Sequence, residues 1–288
     1  MKQGLRAFFI LLFSLSNLQC ANILEPLSEK DSDKMLLYEA KKNIDERDFS
    51  KAIENLDQLS DAYKSQNDVK ITYASAYAGA CGMEFIPFFN SISNVDGSMT
   101  IFKFLRSSFT DKAAYPDSCK NAETKIREIG TTEALRLTAM NGAKDINMLM
   151  ALVSMAKVGG LLRNKSDVDG TNSNGDGTTD ASFTACDSNK ISDDEIIEVA
   201  TGFGLLIENL PSLLGASNST STNLDSVATA INTLCAPETC VILNESDIAD
   251  NTQRTKILTN YRKLLESTDA GLEGSSACTL TTPPGCCP

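Results

Sequence analysis

From Asp33 onward, apolar residues recur at three- and four-residue steps, and no segment shows the strict alternation of a half-buried strand. That regularity confines the chain to an all-α fold. It is clearest in "DSDKMLLYEAKKNIDERDFSKAIENLDQLSDAYKS". Asp33 is placed to cap a first helix whose Met35, Leu36, Leu37, Ala40 and Ile44 share one broad face. Arg47-Asp48 reads as a turn, and Phe49, Ala52, Ile53, Leu56 and Leu59 form the face of a second helix.

Further helices are expected at "ITYASAYAGACG", at "MEFIPFFNSI" with a kink at Pro87, and at "MTIFKFLRSSF" and "SCKNAETKIREI". "TTEALRLTAMNG" and "DINMLMALVSMAKVGGLL" read as a hairpin joined at Asn141-Gly142. Residues 164–190 are rich in Asp, Asn, Gly, Ser and Thr, a composition that favours turns over a packed core. Helix resumes at "SDDEIIEVATGFGLLIENL", where Ser192 and Glu195 make a capping box. Gly202 and Gly204 lie within that helical pattern and suit close helix packing. "LDSVATAINTLC" and "DIADNTQRTKILTNYRKLLEST" complete the helices, and the tail "GLEGSSACTLTTPPGCCP" is too rich in Gly and Pro to be one. The expected organisation is a helical region at 33–163, the polar loop at 164–190, and a helical C-terminal region at 191–288 with a cysteine-rich tail.

The first helix pair resembles a tetratricopeptide repeat. That family places small residues where two antiparallel helices meet, and Ala40 and Ala52 have the required spacing, with Phe49 and Leu56 in frame. Glu39 and Asn43 depart from apolar positions, and Lys64 stands where proline is favoured. The likeness covers one repeat, with a fainter echo at Ala74. It implies antiparallel hairpins stacked as an array that offers a groove to a protein partner, followed by an irregular, disulfide-stabilised C-terminal part.

The N-terminus has the layout of an export signal: Lys2 and Arg6, then an apolar run from Ala7 to Leu15 that is too short to span a bilayer. No later segment is expected to reach membrane-spanning length. One cleavage reading uses Ser14 and Ser16 and starts the mature chain at Asn17. The other resembles a bacterial lipobox, in which Cys20 takes a diacylglycerol. Lipidation is the favoured reading, giving a signal at 1–19, a tether at 20–32 and attachment through the lipid. Ala21 after the cysteine is consistent with outer-membrane sorting; a periplasmic or secreted protein is the alternative.

Cysteine parity agrees with lipidation. Nine cysteines meet an oxidising compartment, and removing Cys20 leaves eight: Cys81, Cys119, Cys186, Cys235, Cys240, Cys278, Cys286 and Cys287. Cys81 with Cys119 would pin one hairpin. Cys235 could bond Cys240, or one of them Cys186, and Cys278 could reach Cys286 or Cys287. Zinc is disfavoured, because the chain has no histidine and no CxxC pair.

In "DVDGTNSNGDGTTD", Asn172, Asn174, Asp176 and Asp180 surround Gly177 with the oxygen spacing of a calcium loop, and the stretch resembles those of dockerins and EF-hands. Phe183 stands where an EF-hand supplies its closing carboxylate, with Asp167 and Asp169 upstream, or Asp187, Asp193, Asp194 and Glu195 downstream, available instead. The simpler reading is a solvated loop. Phe85, Phe88, Phe89, Phe102 and Phe104 form an aromatic cluster, read first as core and otherwise as an apolar ligand pocket.

The net charge of −12 repels phosphate backbones and argues against nucleic acid as a partner. The missing histidine removes Ser-His and Cys-His nucleophiles and HExxH zinc sites, and no phosphate-binding glycine motif is present. The expected function is non-enzymatic binding at the bacterial cell envelope. The alternatives are a periplasmic solute-binding or transport-accessory protein and a calcium-dependent surface adhesion protein.

Overall fold

The computed structural model describes residues 32–82, 99–108, 113–140, 144–169, 175–216, 249–268, 270–272 and 287. Among them are ten helices and no strand. The protein is all-α, with disulfides, as the periodicity predicts. It divides into two compact units, one ending at Val69 and the other starting at Lys70. The second unit therefore spans both sides of the 164–190 loop, which does not separate domains.

The first unit contains α1 (Asp33–Asp45), α2 (Phe49–Asp57) and α3 (Asp61–Lys64). The cap of α1 is Ser32, whose side chain accepts from the Met35 N–H; Asp33 is already in the first turn. Asp33 instead accepts from both the N–H and the hydroxyl of Ser60, each at 2.7 Å, which holds its carboxyl below the usual range. A left-handed turn at Arg47 (φ 63°) reverses the chain, and Asp48 caps α2 by accepting from Lys51 N–H. Ala40, Ala52 and Leu56 are wholly buried as α1 packs on α2.

The division falls within α4 (Asn67–Ala80), whose Ala74, Ala76 and Ala78 are buried. The second unit continues with α5 (Ile101–Ser107), α6 (Pro116–Arg127), α7 (Glu133–Ala139), α8 (Lys144–Ser166), α9 (Asp193–Ala216) and α10 (Asn251–Glu266). At its centre is α8, packed on α5, α6, α7 and most extensively α9. This helix is long and apolar enough to cross a membrane, contrary to the sequence expectation, but it is surrounded by protein. Its contact with α9 is close because Gly202 has no side chain: a Cβ there would lie 2.8 Å from Val158 Cγ2 and 2.9 Å from Lys157 Cε.

Phe102 and Phe104 are core residues. The Phe102 ring lies 5.1 Å from that of Phe203, which meets Tyr261 edge-on at 6.5 Å. Helix α9 also runs past the expected end, through Pro211 to Ala216. A buried arginine anchors α7: Arg136 donates to Asn147 Oδ1 and Asn209 Oδ1, both at 2.6 Å, and to the Gly130 carbonyl.

Two disulfides join described residues, Cys81–Cys119 and Cys186–Cys287. The first is the expected pair. The second replaces the alternatives that joined Cys186 to Cys235 or Cys240, and Cys287 to Cys278. Cys235, Cys240, Cys278 and Cys286 lie outside the described residues, as do Cys20 and the segments containing "MEFIPFFNSI" and "LDSVATAINTLC". The non-helical stretch before α9 is packed despite its polar composition. Glu266 accepts from Thr184 and the Ala185 N–H, Arg262 donates to the carbonyls of Ala185 and Ile191, and both Ala185 and Ile191 are buried.

Candidate functional site

The N-terminal ends of α6 and α9 and the C-terminal half of α8 enclose a cleft of about 670 Å³. Residues 114–118 and Lys120 line one side, while Lys157, Leu161, Asn164 and Lys165 of α8 line another. Asp194, Glu195 and Glu198 of α9 form the third wall. The size lies within the usual range for small-molecule sites, although the lining is far more charged than is usual.

The rim before α6 is braced in three ways. Cys119 is bonded to Cys81, the Tyr115 N–H donates to the Cys81 carbonyl at 3.1 Å, and Asn164 Nδ2 donates to the Ala114 carbonyl at 2.9 Å. On the α9 side, the predicted capping box is present: Glu195 accepts from Ser192 N–H and hydroxyl, and Ser192 Oγ accepts from Glu195 N–H.

Lys157 is only 1% exposed. Its Nζ donates to Glu123 at 2.5 Å, Glu198 at 3.0 Å and Thr201 at 3.3 Å, so the buried ammonium is fully surrounded by oxygen. Such a charge survives burial only with partners of this kind. Lys120 also pairs with Glu198, and Lys165 with Glu195 at 2.7 Å. Burial alone would raise the Glu198 carboxyl, but the charge of Lys157 and the hydrogen bond from Lys120 hold it below its usual value. The reciprocal hydrogen bond to Glu198 raises Lys120.

The second cluster lies after α8. Asp167, Asp169 and Asp180 can each place an oxygen within 4.8 Å of the others. Asp167 is buried and accepts from the N–H groups of Asp176 and Gly177; Asp180 Oδ2 accepts from Val168 N–H at 3.1 Å. Asp180 Oδ1 is buried with no hydrogen-bond partner. Loss of water around the loop, followed by the charges of Asp180 and Asp176, raises the Asp169 carboxyl. Gly175 must be glycine: its φ is +73°, and a Cβ would lie 2.7 Å from Asp167. Arg106 secures the loop by donating to the Gly177 carbonyl and to Thr179.

Of the proposed calcium ligands, Asp180 joins this triad, whereas Asp176 accepts from Thr178 N–H and hydroxyl. Asn172 and Asn174 lie outside the described residues. Asp167 and Asp169, noted upstream in the sequence, are the carboxylates gathered around Asp180. Neither Phe102 nor Phe104 lines the cleft, and Phe85, Phe88 and Phe89 lie outside the described residues.

The cleft itself was not foreseen, because its walls come from three separated segments. One signal was available: Lys157 is a lone charge within the apolar run "NMLMALVSMAKVGGLL". The site and fold define an all-α, disulfide-bonded protein with a charged cleft. No protein-family model, curated protein or solved structure matches the chain.

Proposed function

We propose that the protein is a lipid-anchored, non-enzymatic binding protein of the bacterial cell envelope, with the charged cleft as its binding face. The cleft carries this reading: it is of ligand size, and a disulfide and two hydrogen bonds between residues distant in sequence brace its rim before any ligand arrives. Such pre-organisation lowers the ordering cost of binding. The wholly buried Ala40 and Ala52 support a tetratricopeptide-like hairpin as a scaffold for a protein partner. The outer-membrane location rests on the export signal and on Cys20 in the sequence. Mass spectrometry of the N-terminal peptide from membranes of an expressing bacterium tests the anchor. A diacylglyceryl Cys20 is the expected result; an unmodified chain starting at Asn17 would overturn the anchored reading.

A second reading, calcium binding, is favoured by the gathering of Asp167, Asp169 and Asp180 around an unpartnered buried oxygen. These hard oxygen donors suit calcium, and the ion would relieve the crowding that raises Asp169. With calcium bound, EDTA is expected to lower the melting temperature and added calcium to restore it. Asp169→Asn should abolish that response. Identical melting curves with and without calcium would eliminate the site.

A further inference from the structure

We propose that the cleft takes a zwitterionic solute of the amino-acid or short-peptide class, an inference that rests on the cleft being the binding face. Its charges are sorted by wall. Helix α9 contributes Asp194, Glu195 and Glu198, while α6 and α8 contribute Lys120, Lys157 and Lys165. Among the described lining residues Asp117, in the first turn of α6, is the one carboxylate on the basic side; Glu123, also of α6, pairs with Lys157. That side also receives the positive end of the α6 dipole, because Tyr115 provides no side-chain cap and Pro116 occupies the first helical position.

The ion pairs spanning these walls differ in how readily they can exchange. Lys157 forms a fixed floor: it pairs with Glu123 of α6, with side-chain exposures of 1% and 9%, and reaches across to Glu198 of α9 at 3.0 Å. Lys120–Glu198 and Lys165–Glu195 retain exposures between 25% and 55%, so water reaches all four groups. Solvated pairs are worth little, and a ligand can open them at small cost.

Charge balance then selects the ligand. An anion that engages Lys120 and Lys165 strands Glu195 and leaves Glu198 with Lys157 alone, and a simple amine engaging the glutamates strands Lys120 and Lys165. Uncompensated charge in a confined site opposes binding. A molecule bearing one carboxylate and one ammonium replaces one opened pair with two new ones and strands nothing. Selection by charge sign alone would require a cleft of one sign, and this one is bipolar.

The test uses the mature, disulfide-bonded protein in calorimetric titration and thermal-shift measurements. The probes are glycylglycine and alanylalanine, acetate and inorganic phosphate as simple anions, and ethylamine as a simple cation. The dipeptides are expected to give one-to-one isotherms and raise the melting temperature, while acetate, phosphate and ethylamine give neither. Lys165→Gln and Glu195→Gln should each weaken dipeptide binding about tenfold, the loss of one charge-assisted contact. The glutamine variant preserves the capping box and therefore the start of α9. Dipeptide binding unaffected by either substitution would overturn the assignment. Equal responses to acetate, phosphate or ethylamine would overturn the zwitterion class while leaving a binding cleft. No response to any probe would overturn the inference and also count against the cleft as the binding face.

Discussion

At the residue scale, Lys157 is the side chain on which most depends. Its ammonium satisfies Glu123, Glu198 and Thr201 in a place where water supplies almost nothing. Lys157→Met keeps the volume and removes the charge, leaving the buried Glu123 with only the longer Arg127 contact at 3.6 Å and Glu198 with only Lys120. It should destabilise the fold by about 3–5 kcal/mol at neutral pH, as breaking a buried pair does. The loss should shrink in acid. Because the folded Glu198 carboxyl lies below its ordinary value of 4.5, its pairing stabilises the wild type fully above that value and is lost as pH falls through the lower folded one. Lys120 behaves oppositely: its raised folded value makes its contribution complete below 10.5 and lost as pH rises through the folded value. Urea denaturation of wild type and variant at neutral and acid pH checks this; a difference unchanged by acid would contradict the pairing.

At the element scale, the close approach of α8 and α9 depends on Gly202. Gly202→Ala pushes a methyl against Val158 and Lys157 and should cost about 1–3 kcal/mol, lowering the urea midpoint without changing the slope. The same pair of helices shows what local sequence can and cannot convey. The capping box at Ser192 and the close-packing role of Gly202 were legible, because each depends on neighbours in the chain or on the helical period. The cap of α1 was misplaced by one residue: Ser32 and Asp33 are both good caps, and only the distant Ser60 decides which of them turns away. Pro211 did not end α9, although a proline there cannot donate to the Ile207 carbonyl; Ser212 beside it is tied to Glu133 at 2.7 Å. The cleft depends on residues from three elements, so helical periodicity could indicate its walls as helices but not their meeting.

At the scale of the whole molecule, the two disulfides constrain very different lengths of chain. Cys81–Cys119 spans 38 residues and Cys186–Cys287 spans 101. On the loop-entropy account, losing them should cost about 4 and about 5 kcal/mol respectively. Paired Cys→Ala variants, compared by denaturant titration, check the order; the Cys81/Cys119 variant should additionally loosen the rim of the cleft. The long apolar helix at the centre of the second unit carries a different consequence, for a chain routed through the envelope as proposed. On such a route α8 would pass through a translocon before its neighbours could cover it, and by length and composition it would qualify for release sideways into the bilayer. A lysine near the middle of such a segment opposes that exit by about 2.5–3.5 kcal/mol. On that proposed route, Lys157, which the folded protein pairs with two glutamates, would also oppose stranding of the unfolded chain in the membrane.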